Sequence, residues 1–243
     1  MRWIKGLVDL LGLHERRCPV CLAPFTPESY ATAISACVLC PQCSPSLARY
    51  SGARCAACAL PLPLGTPAGT LCGACARSLP PWAGIACYGV YTGVLRTLLL
   101  RFKLAHELPL APVLAALMLE CLPCLPAVDA LVPIPQHAVH LRQRGYNQAH
   151  ELARALAVQS GIAFFPQALH RVHNLPSQTT LSGRQRKHAP RASFACLAPV
   201  QGKTLLIVDD ICTTGGTLHH AALCLLHSGA RAVYCVTVAR TAL

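Results

Sequence analysis

Lys203-Thr-Leu-Leu-Ile-Val-Asp-Asp-Ile-Cys-Thr-Thr-Gly-Gly-Thr-Leu218 is the stretch that decides the fold. Its apolar run, Leu205 to Val208, is too short for a helix and rich in branched residues, so it reads as a buried parallel strand. The run ends on two consecutive carboxylates, Asp209 and Asp210. Thr213, Thr214, Gly215, Gly216 and Thr217 follow, and then a periodic apolar segment (Leu218, Ala221, Ala222, Leu225) that predicts a helix. Hydroxyls and glycines at a helix start offer free N–H groups, hydroxyl donors and the positive end of a dipole, which suits a phosphate. Carboxylates repel a phosphate but suit the cis-diol of a ribose beside it. The combination therefore predicts a ribose 5-phosphate site in the crevice at the carboxyl end of a parallel sheet.

Strands and helices alternate on both sides of this stretch. Strands are expected over 85–91, 130–134, 192–196 and 232–238, and helices over 94–103, 111–121 and 147–159. That alternation predicts an α/β domain with a doubly wound parallel sheet. Between 170 and 191 the text is a long polar loop, and a loop of that length in a compact domain is usually functional or disordered.

A second constellation follows the strand that ends in Pro133-Ile134-Pro135. From 137 to 191 there are eight Lys or Arg residues, Arg142, Arg144 and Arg171 among them, against one acid, Glu151. Arg forks bind diphosphate bidentately, so this basic loop is the candidate diphosphate site.

Ahead of Pro80-Pro81 the sequence changes character. Four Cys-x-x-Cys pairs occur in under sixty residues: Cys18/Cys21, Cys40/Cys43, Cys55/Cys58 and Cys72/Cys75. Two such knuckles complete a tetrahedral, closed zinc site, so four pairs predict two structural Zn²⁺ ions. Joining first with second and third with fourth closes the shortest loops; a crossed assignment is also open. Cys37 is a bystander or an alternative ligand, and Cys121/Cys124 form a further pair with no partner. The segment is otherwise poor in strong core formers, so metal must supply much of its folding energy. The formal charge of +12 falls to roughly +8 once two zinc–tetrathiolate centres form, which leaves polyanions as plausible partners.

These boundaries divide the 243 residues into an amphipathic N-terminal helix (1–15), a double zinc ribbon (16–79) and the α/β domain (80–243). No apolar run reaches the ~18 residues of a membrane span, so no membrane insertion is expected. Lys5 and Asp9 interrupt what would be the apolar core of an export signal, and paired thiols suit a reducing compartment. A cytoplasmic location is the expectation.

Asp209-Asp210-Ile211-Cys212-Thr213-Thr214-Gly215-Gly216-Thr217 resembles the 5-phosphoribosyl 1-pyrophosphate (PRPP) motif of type I phosphoribosyltransferases. Pro133-x-Pro135, Arg142-x-Arg144-Gly145-Tyr146-Asn147-Gln148, Lys103 after an apolar helix, Gln178-Thr179-x-Leu181 and the final Ala239-Arg240 narrow the likeness. With the double zinc ribbon they are similar to the ComF/GntX family, which joins a zinc ribbon to a phosphoribosyltransferase domain and in several bacteria serves natural competence. The resemblance implies PRPP bound with Mg²⁺: 5-phosphate on Thr213–Thr217, ribose hydroxyls on Asp209 and Asp210. Diphosphate and metal would lie near Pro135, Arg142, Arg144, Asn147 and Gln148, under a flexible loop carrying Gln178, Arg184 and Arg186. Asp209 and Asp210 would then act catalytically, stabilising oxocarbenium-like charge at the ribose C1. It equally admits a non-catalytic protein that binds single-stranded DNA or a competence helicase.

Overall fold

The computed structural model describes residues 16–25, 39–136, 141–142, 144–172 and 193–242. The expected N-terminal helix, Cys37 and the loop residues Gln178, Arg184 and Arg186 lie outside them.

Fully apolar strands need cover on both faces, and that requirement explains the centre of the molecule. Five strands pair in parallel: β3 (Gly84–Val90), β4 (Ala130–Pro133), β5 (Ala163–Phe164), β8 (Thr204–Cys212) and β9 (Ala232–Arg240). Their order is β3-β9-β8-β4-β5. Leu205, Leu206, Ile207 and Val208 at the centre of β8 are all at most 1% exposed. Each such side chain contributes roughly 1.5–3 kcal/mol by leaving water.

Side chains alternate between two cores. Leu131, Leu206, Val208, Val236 and Val238 face helices α2 (Gly93–Leu104), α3 (Leu110–Leu119) and α4 (Gln148–Ser160). Ala130, Val132, Leu205, Ile207, Val233 and Cys235 face α5 (Gly216–His227). The doubly wound arrangement is thus present. Short strands β1 (Arg16–Arg17) and β2 (Pro24–Phe25) and the one-turn helix α1 (Gly73–Arg77) belong to the cysteine-rich part.

Two expectations change. The strand predicted to stop at Val208 runs on to Cys212, because β9 keeps pairing with it: Asp209 opposite Thr237, Ile211 opposite Ala239, Cys212 opposite Arg240. The acidic pair therefore sits inside the strand's last turn of pleat rather than after it. The strand near 192–196, observed as β7 (Ser193–Cys196), is not part of the parallel sheet. It pairs antiparallel with β6 (Leu169–Val172), which takes the first residues of the segment expected to be loop. Sequence periodicity cannot distinguish a strand of the main sheet from one of a separate hairpin.

The two cysteine groups settle on opposite faces of the sheet. Cys18, Cys40 and Leu47 join the core beneath α2 and α3, whereas Cys55, Cys58, Cys72 and Cys75 join the core beneath α5 together with Trp82. Of the other cysteines, Cys87, Cys121, Cys212 and Cys235 are buried and Cys196 and Cys224 half-buried, in keeping with small hydrophobes. Cys124 is exposed and accepts a hydrogen bond from Arg49 Nη2 at 3.2 Å. Among the described residues no helix is long and apolar enough to cross a membrane.

Candidate functional site

The carboxyl ends of β4 and β8 and the first turn of α5 surround a cavity of about 430 Å³. Asp209 and Asp210 form its acidic wall. Asp210 is 8% exposed, and its N–H donates to Asp209 Oδ1 at 2.9 Å, while Ile211 N–H donates to Asp210 Oδ1 at 2.7 Å. Lys103 Nζ, from the last turn of α2, lies 3.5 Å from Asp210 Oδ2. Burial and the adjacent Asp210 charge push the Asp209 carboxyl up to about 8, against the opposing pull of Lys103. One wall of the site thus holds two carboxylates that resist ionising together.

The loop beyond them needs a left-handed residue, and Gly215 supplies it as the N-cap of α5 at φ +82°. The first turn of α5 leaves its N–H groups without intrahelical acceptors. Gly216 N–H makes only a long contact with Thr214 Oγ1, 3.4 Å. Thr213 and Thr217 line the cavity; Thr214, Gly215 and Gly216 line its neighbour on the other side of the loop.

The basic wall is sharper than its sequence. Pro135, Arg144, Asn147 and Gln148 reach the cavity, whereas Arg142 is exposed and does not line it. Asn147 is occupied structurally. Its Oδ1 caps α4 by accepting from Ala149 and His150 N–H at 3.0 and 3.4 Å, and its Nδ2 donates to Ile134 O at 2.9 Å. Asn147 therefore shapes the loop. Gln148, which lines the cavity, is 2% exposed, and its buried Nε2 has no hydrogen-bond partner among the described residues.

Tyr91, Lys103, Gln136 and Thr241 also line the cavity, as does Arg171 of the expected basic loop. Arg171 belongs to β6; its Nε donates to Pro135 O at 2.9 Å and its guanidinium sits 5.3 Å from the Phe194 ring centre. Burial lowers its pKa from the usual arginine value, and Asp209 opposes that shift. Lys103 carried part of the family likeness in the sequence, but nothing there placed it against the acidic pair. Arg171 was one of many in a basic run.

Both cysteine tetrads suit zinc. In each, the four sulfurs lie within 4.8 Å of one another, and the groups are Cys18/Cys21/Cys40/Cys43 and Cys55/Cys58/Cys72/Cys75, the sequential assignment. Tetrahedral Zn–S bonds of about 2.3 Å require sulfurs about 3.8 Å apart. Cys21 and Cys40 sulfurs are 3.6 Å apart, and those of Cys58 and Cys72 are 3.7 Å apart. Cys72 N–H also donates to Cys55 Sγ at 3.2 Å, the bond a thiolate ligand favours.

Comparison with known proteins agrees with this architecture. The phosphoribosyl transferase domain family matches residues 139–242. The DNA utilization protein YhgH of Salmonella typhi is 35% identical over 186 residues, 73% of this chain and 82% of that protein. Its namesake in Escherichia coli strain K12 is 31% identical over 98% of this chain and 96% of its own length. Competence protein ComFC of Bacillus subtilis is 34% identical over 104 residues, 41% of this chain and 39% of that protein. With a phosphoribosyltransferase-type parallel sheet, paired zinc-ribbon tetrads and relatives at this identity and coverage, the chain belongs to the ComF family.

Proposed function

We propose that the protein binds PRPP or a related ribose phosphate with Mg²⁺. The observation that carries this reading is that Asp209 and Asp210, at the end of β8, line one cavity with Thr213 and Thr217, on either side of the glycine N-cap of α5. A 5-phosphate would take the loop 213–217, as N–H groups and hydroxyls at a helix start favour an anion. The ribose 2- and 3-hydroxyls would donate to Asp209 and Asp210, which cannot serve the phosphate.

Arg144 and Arg171 line the same cavity, where they would be available to a diphosphate. Among the described residues the cavity lining offers carboxylate, amide and hydroxyl oxygens and neither thiol nor imidazole, a donor set that suits Mg²⁺. Bound with the diphosphate, the ion would supply charge neutralisation. If the phosphoribosyl group is transferred to an acceptor, the C1–diphosphate bond breaks as the C1–acceptor bond forms; Asp209 and Asp210 would offset positive charge at C1, while Arg144 and Arg171 would hold the departing diphosphate.

Calorimetric titration of the two-zinc protein with PRPP and Mg²⁺ tests this. Saturable binding is expected, and an Asp209→Ala/Asp210→Ala variant should lose it by at least about a hundredfold, two hydrogen-bonded charged contacts at ~1.5–3 kcal/mol each. Unchanged affinity in that variant would refute the assignment.

A second reading, in the cytoplasm and in DNA uptake, draws on the relatives' names, DNA utilization and competence, and on the formal charge of +12. Here single-stranded DNA, or a helicase carrying it, is the partner. Binding through phosphate contacts should weaken steeply as salt is raised from 50 to 200 mM. A salt-insensitive affinity would count against it.

A further inference from the structure

Arg240, the last residue of β9, is 3% exposed. Among the described residues no carboxylate pairs with it. A buried cation without a countercharge is costly, so its surroundings must supply one. Its Nε donates to Cys58 O at 3.2 Å, and its Nη1 donates to Cys212 O at 3.0 Å and to Thr213 O. The first acceptor belongs to a ligand of the second cysteine tetrad. The other two are the end of β8 and the first residue of the phosphate loop. A zinc ion with four thiolates would carry a net charge of about −2, which would make the loaded tetrad a countercharge beside Arg240.

A second connection runs in parallel. The indole ring of Trp82 lies against the loop, 3.3 Å from where a Cβ on Gly215 would sit. The same indole Nε1–H donates to Ala57 O at 2.7 Å, between Cys55 and Cys58. The loop and the tetrad thus share the walls of one cavity of about 350 Å³, closed by Trp82 and Arg240.

We propose that Arg240 is a positioning residue that couples zinc in the Cys55/Cys58/Cys72/Cys75 tetrad to the shape of the loop 213–217, and so to its affinity for a ribose 5-phosphate. The affinity part rests on the ribose-phosphate reading above; the coupling of metal to loop shape does not. Zinc holds Cys58 in place and balances the guanidinium, which then fixes the carbonyls of Cys212 and Thr213 and turns the following N–H groups towards the cavity. Coupling of this kind is reciprocal: a phosphate ligand must retain zinc in that tetrad as strongly as the zinc retains the ligand.

The test uses the full-length two-zinc protein beside Arg240→Met, Arg240→Lys, Cys75→Ser and Cys21→Ser. Zinc content, amide exchange over 212–217 and the Kd for ribose 5-phosphate are read for each. Arg240→Met should keep both zincs, speed loop exchange about tenfold and raise Kd about tenfold, the usual size of an allosteric coupling. Arg240→Lys should restore part of both. Cys75→Ser should loosen the loop, and Cys21→Ser, which empties the other tetrad, should not.

Ribose 5-phosphate should slow zinc release from the second tetrad in the wild type and not in Arg240→Met, a readout that mere loss of packing would leave unmoved. Wild-type loop exchange in a folded Arg240→Met protein overturns the coupling, as does equal loosening by Cys21→Ser. If Arg240→Met does not fold, Arg240→Lys and Cys75→Ser decide in the same way. A wild type that binds no ribose 5-phosphate refutes the ribose-phosphate reading, while loop exchange still decides the coupling.

Discussion

The two cysteine tetrads are each built from two Cys-x-x-Cys pairs, yet the fold gives them different surroundings. The first is open to one side: Cys18 and Cys40 are buried, Cys43 is half-buried and Cys21 is exposed. It is tied to the helical face, where Tyr88 Oη–H donates to Leu47 O and Arg101 Nη1 donates to Pro19 O at 2.6 Å. In the second all four cysteines are buried, and the phosphate loop is its neighbour. Equal motifs therefore do not mean equal roles. What separates them is which face of the sheet each one covers.

Removing a ligand from each is the harshest way to break that comparison. Cys58→Ser should destabilise the zinc-loaded protein by on the order of 4 kcal/mol, since it would break a buried tetrad whose bound metal would contribute folding energy. Cys43→Ser should cost less than half as much in the main unfolding transition. A partly exposed ribbon can open locally while the sheet stays folded. Urea denaturation with the zinc content read alongside checks both. Equal losses would show that exposure of the ligands does not decide how each tetrad supports the sheet.

A pH profile sharpens the comparison from the carboxylate side, which α2 shares with the first tetrad through Arg101 and Lys103. Burial and Asp210 raise the Asp209 pKa from the ordinary carboxylate value to about 8. Between those values the folded chain keeps a proton that the unfolded chain has released. Stability of the ligand-free protein must then fall as pH rises through that window, and level off above it. The slope cannot exceed about 1.4 kcal/mol per pH unit for one proton. Asp209→Asn should flatten it, making the variant more stable than the wild type at pH 8 and little changed near pH 4, while ribose-phosphate binding is lost. Thermal melts from pH 4 to 9 measure this, and a flat wild-type profile would sink it.

What could be read in the sequence was local in the chain. Leu205 to Thr217 contains its strand, its acids and its loop within one continuous stretch, and each Cys-x-x-Cys pair is its own signal. What escaped depends on residues far apart. Arg240 and Cys58 are separated by 182 positions, and Trp82 and Ala57 by 25, so no window of sequence connects them to the loop they border. The β6–β7 hairpin escaped for the same reason, its strands being separated by the residues between Val172 and Ser193. Asn147 was different. An Asn directly before a periodic apolar segment is a helix cap signal, and the structure gives it that role; its position in a basic loop made a ligand contact the more conspicuous reading.

The gentlest test compares one hydrogen bond from each of the two ribbons. Tyr88→Phe removes the hydroxyl bonded to Leu47 O, and Trp82→Phe removes the indole N–H bonded to Ala57 O. Losing one hydrogen bond costs about 1 kcal/mol, and Trp82→Phe, which also shrinks a side chain buried to 7% exposure, should cost somewhat more. The denaturation midpoints alone would therefore differ little and would not show which ribbon supports the loop. Amide exchange over 213–217 should separate them, because Trp82 touches Gly215 whereas Tyr88 lies in the core on the other face of the sheet. Trp82→Phe should speed exchange in the loop and weaken ribose 5-phosphate binding by a few-fold, with both zincs retained. Tyr88→Phe should leave the loop as it was and loosen the ribbon around Leu47 instead. If both variants loosen the loop alike, the two ribbons support the site only through overall stability, and the contrast between the faces of the sheet carries no functional weight.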